Sequence, residues 1–433
     1  MLHRLSRSTL TVLTVCLATF AFFILLHGLT FNVVMRNYCV GGVSFLNGQN
    51  PYEVTLQNGP SNQFKYSPFF AWIMAGVAKS GSQTAVLGLW VLVGIAAFCF
   101  GLNRWSDLSK KAPFYVTVAL FAALLDLIVS MAAYQVNAFI IGLSLLGLAE
   151  YRDGRLLSAG AILSLATNLK VYPVVFLIAL ALFLKRRYWI GALSAGLVTF
   201  LLPAVSVGWS HNLEMHLAWF RVVLGDSSGA GVLDLLSAFQ RVGLSGFGQV
   251  LRWPVLIATI PLFFAYLPLA GRAGWRPWMT FGLAATLLLS PRTEVFTYVL
   301  LAPSYVVMTS WCAESGRKIV RTCGGMLVAV LAVAIASCRF LDPRWYVSES
   351  PREIVRVIGA LGFWVLAAGI LGNTMFGALN ARMTDLRVRR EQGLNRGKMG
   401  TGSPPTGSPR TPGKGPRERR NGGMDRSGVT HEK

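Results

Sequence analysis

Charge is what this sequence has least of. Only 13% of its 433 residues are Asp, Glu, Lys or Arg while 54% are hydrophobic, against roughly a quarter charged in a soluble globular chain. That composition excludes an ordinary water-solvated domain. Acids are scarcest, with 18 Asp and Glu against 40 Lys and Arg. The six cysteines (Cys16, Cys39, Cys99, Cys312, Cys323 and Cys338) have no CxxC spacing and fall mostly in apolar runs, which argues against a disulfide framework or a zinc site. His211 and His216, with Glu214 between them, are not in the HExxH spacing that puts two ligands on one helix face. No metal and no other cofactor is expected.

What the sequence has in abundance is apolar runs of about 20 residues, the length that crosses roughly 30 Å of hydrocarbon. The first, Thr9 to Val34, follows His3, Arg4 and Arg7; it is too long for a signal-peptide core and Phe31 to Val34 offer no small-residue cleavage site. It reads as an uncleaved helix. The segment from Lys65 to Ser80 has too few apolar residues to span and reads as a juxtamembrane helix on the outer surface. The next runs then alternate: Thr84 to Leu102, Pro113 to Ala133, Val136 to Glu150, Leu156 to Leu169, Val174 to Leu184, Trp189 to Gly208, Val250 to Ala270, Pro277 to Ser290, Val295 to Trp311, Val320 to Ser337 and Glu353 to Gly377. This reading gives an all-α polytopic membrane protein of about twelve transmembrane helices. Its inward turns, such as Lys185 to Arg187 and Arg317 to Arg321, are rich in Lys and Arg, as the positive-inside rule requires. The expected location is the cell membrane, multi-pass, with both termini cytoplasmic.

The net charge of +22 is thereby explained by topology and one tail, so no nucleic-acid partner is expected. Residues 1–379 form the expected transmembrane domain, with a first outer loop at 35–81 and a long outer loop at 209–249. Residues 380–433 hold 13 Lys or Arg against 5 Asp or Glu with many Gly, Pro and Ser, and read as a disordered basic cytoplasmic tail. Its basic residues either touch anionic lipid heads or solubilise and anchor the chain.

Polar residues that topology does not explain gather on the expected outer side. Lys170, before Tyr172 and Pro173, opposes the charge bias; it either meets an anion such as a lipid phosphate or snorkels to the interface. Ser290 to Glu294 form a polar turn in which Arg292 suits paired hydrogen bonds to phosphate, and Glu294 is an acid, a base or its ion-pair partner. Gln135 and Asn137 bracket a short turn where amides bind sugar hydroxyls or satisfy helix ends. Asp126 lies inside a span and asks for a partner. In the first loop, GQNPYE (Gly48 to Glu53) and FKYSPFF (Phe64 to Phe70) combine a sharp turn with aromatic rings, and Glu53 is the only carboxylate before Asp107.

GQNPYE, KYSPFF, QVNAFIIGLSLLGLA followed by AGAILSLATNLKVYP, SAFQRVG (Ser237 to Gly243) and LLLSPRTEVFTYVLLAP (Leu287 to Pro303) together resemble the polyprenol-phosphate-mannose-dependent α-1,2-mannosyltransferase family, glycosyltransferase family 87, of GT-C architecture. The resemblance runs from about Met35 to Pro303. It implies a hexosyltransferase that moves a sugar, mannose in the family, from a polyprenyl-phosphate donor to a glycolipid or glycan acceptor on the outer face by inverting general-base catalysis. On that reading Glu53 or Glu294 is the base; Lys170, Arg292 and Arg241 face the donor phosphate; and Tyr52, Lys65, Tyr66, Gln135, Asn137, Tyr172 and Gln240 line the substrates. Membrane lipids are the remaining partners.

The sequence departs from the family at one point: the usual Asp near the start of the first loop has no counterpart in Val33 to Tyr38. Either Glu53 has taken over, or the base is elsewhere, such as Glu294, or the chain is a non-catalytic scaffold that has lost the loop Asp; a flippase or transporter of lipid-linked sugar is the other alternative.

Overall fold

The computed structural model describes residues 7–29, 32–53, 64–80, 83–106, 112–225, 234–266, 274–290, 295–340 and 354–399. Among them are sixteen α-helices and no strand. In chain order they are α1 (Arg7–His27), α2 (Val33–Leu46), α3 (Pro68–Lys79), α4 (Gln83–Asn103), α5 (Phe114–Ala132), α6 (Asn137–Arg152), α7 (Leu156–Leu169), α8 (Val174–Ala181), α9 (Arg186–Val207), α10 (Trp209–Gly225), α11 (Leu235–Arg241), α12 (Ser245–Tyr266), α13 (Trp275–Leu289), α14 (Ala302–Ala313), α15 (Gly325–Phe340) and α16 (Ile354–Met399). A 3-10 segment, Val295–Leu300, precedes α14 and a π turn, Val320–Gly324, precedes α15. An apolar chain in lipid has to satisfy its backbone polar groups internally, and the helix does so within one segment.

Seven helices among the described residues are long and apolar enough to cross a membrane: α1, α4, α5, α9, α12, the α15 helix with its π turn, and the first part of α16. The chain is thus a multi-pass membrane protein. The other expected spans fall on α6, α7, α8, α13 and the 295–300 segment with α14, which are helical but shorter. Several expected bounds hold closely, Leu156–Leu169 to the residue.

Three expectations change. The first apolar run is not one helix: α1 ends at His27, Gly28 turns the chain with φ +62, and Asn32 caps a new helix by accepting the Met35 N–H at 3.0 Å. Glycine at a left-handed position is the usual helix stop, and a capping Asn starts the next one; hydropathy alone registers neither. Residues 35–46 are therefore helix rather than loop. Much of 209–249 is helical too, as α10 and α11 and the start of α12. Finally, 380–399, expected to be disordered, continue α16 to Met399. The chain divides into two units at Ala378 and Leu379, within that helix.

Within the first unit the helices meet through small residues. A Cβ on Gly160 of α7 would lie 2.1 Å from the Tyr188 carbonyl oxygen of α9, and one on Gly191 of α9 would lie 2.0 Å from that of Leu157. Neither obstacle is a movable side chain, so the backbones touch only because both positions are glycine, the usual device where lipid supplies no hydrophobic drive between helices.

Polar contacts sort to two ends. At one, Arg104 after α4, Glu150 and Arg152 in α6 and Asp153 and Arg155 beyond it form an ion-pair cluster, with Arg104 to Glu150 at 3.4 Å and Arg152 to Asp153 at 3.0 Å. Arg276 and Glu314 pair at 2.6 Å. All these residues belong to the side that the sequence reading assigned to inward turns. The opposite ends of α5, α6 and α7 carry the candidate site.

The α7–α9 contact makes a direct prediction. Gly191→Val should destabilise the protein by about 1–3 kcal/mol through overpacking and lower the melting temperature in detergent, whereas Gly196→Ala, which meets only Ser164 Oγ at 3.4 Å, should leave it within error. Equal melting temperatures for the two variants would contradict this packing.

Candidate functional site

The first loop builds one wall. After α2, Asn50 folds its side chain back: Oδ1 accepts the Tyr52 N–H at 3.1 Å and Nδ2 donates to Glu53 Oε1 at 2.9 Å. Such an Asx turn, with Pro51 fixing φ, is what the Asn-Pro pair favours. Glu53 is exposed and held by a buried amide. The Tyr52 ring points inward and its hydroxyl donates to the Tyr66 carbonyl at 2.6 Å. Burial pushes that phenol well above its ordinary pKa, so it remains a donor at working pH. Ser67 caps α3 by accepting the Phe70 N–H at 3.2 Å, with Pro68 at the first helical position. The FKYSPFF motif is therefore a helix start that delivers Tyr66 inward.

The turn between α5 and α6 builds the second wall. Tyr134 has φ 52, a left-handed conformation uncommon for a bulky residue and one that stores strain. It is held by the Tyr134 N–H to the Met131 carbonyl at 2.8 Å and by Trp90 Nε1 donating to the Tyr134 carbonyl at 3.2 Å. The turn leaves Gln135 and Asn137 buried, at 4% and 0% exposure.

Lys170 closes the arrangement as the C-cap of α7. Its Nζ donates to Asn137 Oδ1 at 2.9 Å and lies 5.5 Å from the Tyr66 ring centre and 5.0 Å from that of Tyr172. Two electron-rich ring faces and an amide oxygen stabilise a half-buried ammonium without neutralising it. Tyr66, Gln135, Asn137, Lys170 and Tyr172, taken from three separate stretches of chain, are thus one cluster.

Sequence reasoning missed the residue at its base. Tyr38 of α2 is fully buried, its hydroxyl 2.9 Å from that of Tyr66, and it accepts the Val136 N–H at 3.4 Å. Since the Tyr66 hydroxyl donates to Gln135 Oε1 at 3.4 Å, one donor direction runs from Val136 through Tyr38 and Tyr66 to Gln135. The signal for Tyr38 was present only if 33–46 had been read as a helix. Gln135 also borders an apolar cavity of about 210 Å³ lined by Phe70, Trp90, Met131, Phe139 and Leu169.

Other candidates stand apart. Lys65 is half-buried, and its carbonyl takes the Trp219 Nε1–H of α10 at 3.2 Å. Gln240 is exposed on α11, and no described contact brings it to Lys170. Arg241 ends α11, but its side chain lies outside the described residues, as do Arg292 and Glu294 altogether. Asp126 has its partner inside the bundle, Arg356 of α16 at 3.0 Å. Among the described residues no group of three or more His, Cys, Asp or Glu is arranged to hold a metal ion.

The model of glycosyltransferase family 87 matches residues 64–291, more than half of the chain. The chain belongs to glycosyltransferase family 87. It is accordingly a membrane glycosyltransferase by family. No curated protein matches it. The family 87 match begins at Phe64 and ends at Pro291, narrower than the resemblance read from Met35 to Pro303. It takes in Lys65, Tyr66, Gln135, Asn137, Lys170, Tyr172, Gln240 and Arg241 and leaves out Tyr52, Glu53, Arg292 and Glu294.

The hydroxyl relay is testable by itself. Tyr66→Phe keeps the ring under Lys170 but removes the hydroxyl that meets Tyr38 and donates to Gln135 Oε1, which should cost about 1–3 kcal/mol and lower the melting temperature in detergent. An unchanged melting temperature would mean the relay carries no energy.

Proposed function

We propose that this protein transfers a hexose, mannose by family resemblance, from a polyprenyl-phosphate donor to an acceptor hydroxyl at the outer membrane face, within a GT-C arrangement of about twelve spans and cytoplasmic termini. The observation that carries the reading is Lys170: a half-buried ammonium framed by Asn137, Tyr66 and Tyr172, with Gln135 linking this cluster to an apolar cavity. A cation beside an apolar slot suits a ligand that is anionic at its head and hydrocarbon in its tail, and Lys is a compact phosphate binder. The positively charged cluster at 104 and 150–155 sits at the far end of the same helices, which supports an outward-facing site by the positive-inside rule.

In this mechanism the Glu53 carboxylate takes the proton of the acceptor hydroxyl as its oxygen attacks the anomeric carbon from the face opposite the phosphate. The bond from that carbon to the phosphate oxygen breaks, inverting the centre, and polyprenyl phosphate leaves with the electron pair. Lys170, with Arg292 and Arg241, stabilises the growing phosphate charge. Asn50 aims the base through its hydrogen bond to Glu53. Tyr52, Lys65, Tyr66, Gln135, Tyr172 and Gln240 would contact the sugars.

A second reading, a non-catalytic scaffold, is favoured by one observation: residues 33–38, where the family resemblance calls for an acid, form the first turns of α2 and contain none. Transfer of radiolabelled sugar from polyprenyl-phosphate donors by purified protein in liposomes separates the two. Glu53→Gln should lower turnover by about 100- to 10,000-fold with donor binding kept, and Lys170→Ala should weaken donor binding about tenfold or more, the loss of a charged hydrogen bond. If Glu294→Gln abolishes turnover and Glu53→Gln does not, the base is Glu294. No transfer from any donor by well-folded wild type would favour the scaffold reading, or a flippase, over transfer.

A further inference from the structure

A buried ion pair inside the bundle lies away from the cluster around Lys170. Asp126 of α5 and Arg356 of α16 have side chains only 1% exposed, with Arg356 Nη2 donating to Asp126 Oδ1 at 3.0 Å. The other carboxylate oxygen accepts the Tyr305 hydroxyl of α14 at 2.8 Å, and the guanidinium lies 5.8 Å from the Tyr298 ring centre in the 295–300 segment. One charge pair therefore fastens four elements.

As a source of stability such a pair is inefficient. Desolvating two ions consumes most of their attraction, and apolar side chains of the same volume usually serve as well or better. Ser130 Oγ, Thr297 Oγ1 and Ser304 Oγ, on the same elements, are buried with no hydrogen-bond partner among the described residues. Polarity at this depth is costly and is retained nonetheless. What the pair supplies and apolar packing does not is direction: a carboxylate with both oxygens engaged by a planar guanidinium and a phenol fixes rotation and register.

The elements so fixed lead to the site. Asp126 lies on the last turns of α5, which end in the strained turn that carries Gln135 and Asn137. The 295–300 segment, pinned through Tyr298, packs against both α5 and α6, the helices on either side of that turn. Asn137 in turn holds the Lys170 ammonium. We propose that Asp126 and Arg356 are positioning residues for sugar transfer, setting the register of α5 and its brace so that Gln135 and Asn137 present Tyr66 and Lys170 to the donor. The transfer itself rests on the reading given under Proposed function.

The test replaces the whole network rather than breaking it. Asp126→Leu, Arg356→Met and Tyr305→Phe together remove both charges and the phenol that binds them, so no new unpaired group is created and the fold should persist with an unchanged or higher melting temperature. Turnover per folded molecule should nevertheless fall at least tenfold, and amide exchange of the 133–137 turn should accelerate at least tenfold while that of α13 does not. Arg356→Lys, which keeps the charge and loses the planar fork, should reproduce part of the turnover loss and the faster exchange, and serves if the triple variant does not fold. Wild-type turnover and exchange in a well-folded variant would overturn the proposal, as would losses that merely track a lower melting temperature. The exchange arm reads the pair without any transfer, so a wild type that transfers no sugar would defeat the functional reading and leave this one still decided.

Discussion

Hydrocarbon offers no hydrogen bonds, and the charged groups among the described residues are placed largely as that constraint requires. Charges gather at helix ends. The Arg104, Glu150 and Asp153 cluster lies at one end and Lys170 with its amides and rings at the other. The large exception is Asp126 with Arg356, where two charges in the interior pair with each other and enlist two tyrosines. Close helix packing follows from the same constraint: with no hydrophobic drive between helices in lipid, glycines at 160 and 191 let α7 and α9 meet backbone to backbone.

The candidate site depends on this sorting. A lysine at the end of an apolar helix is costly unless something holds it, and here two aromatic faces and an amide do so. Those groups in turn need rigid support, which comes from the Tyr38 and Tyr66 hydroxyls beneath and from the strained Tyr134 turn behind. The candidate residues thus sit at helix ends and loops positioned by a packed scaffold. An apolar cavity lies beside Gln135.

Much of this was legible in the sequence because spans are decided by length and hydropathy. α4, α5, α7 and α9 fall where the apolar runs place them. The cluster was legible for a different reason: Tyr66, Gln135, Asn137, Lys170 and Tyr172 are polar or amphipathic residues that topology alone had no use for, and each proved to touch another. What escaped was local backbone chemistry. Gly28 and Asn32 split an apolar run that hydropathy reads as continuous, and missing α2 meant missing Tyr38. Asp126 announced that it needed a partner but gave no sign that it would be Arg356, because the pairing joins positions 230 residues apart. The family model covers the central motifs and stops short of Glu53 and Glu294, so the base rests on the residues alone.

The central claim is that the lipid-phosphate donor occupies the cluster around Lys170 and its neighbouring cavity. A polyprenyl-phosphate analogue with a photoreactive group in its first isoprene units, irradiated with the full-length protein in liposomes and mapped by mass spectrometry, tests it directly. The account predicts labelling at Phe70, Trp90, Phe139 and Leu169, competed away by unlabelled donor. Competable labelling confined elsewhere, such as the groove of about 410 Å³ along α14 and α16 lined by Trp311, Val365 and Asn373, would contradict it.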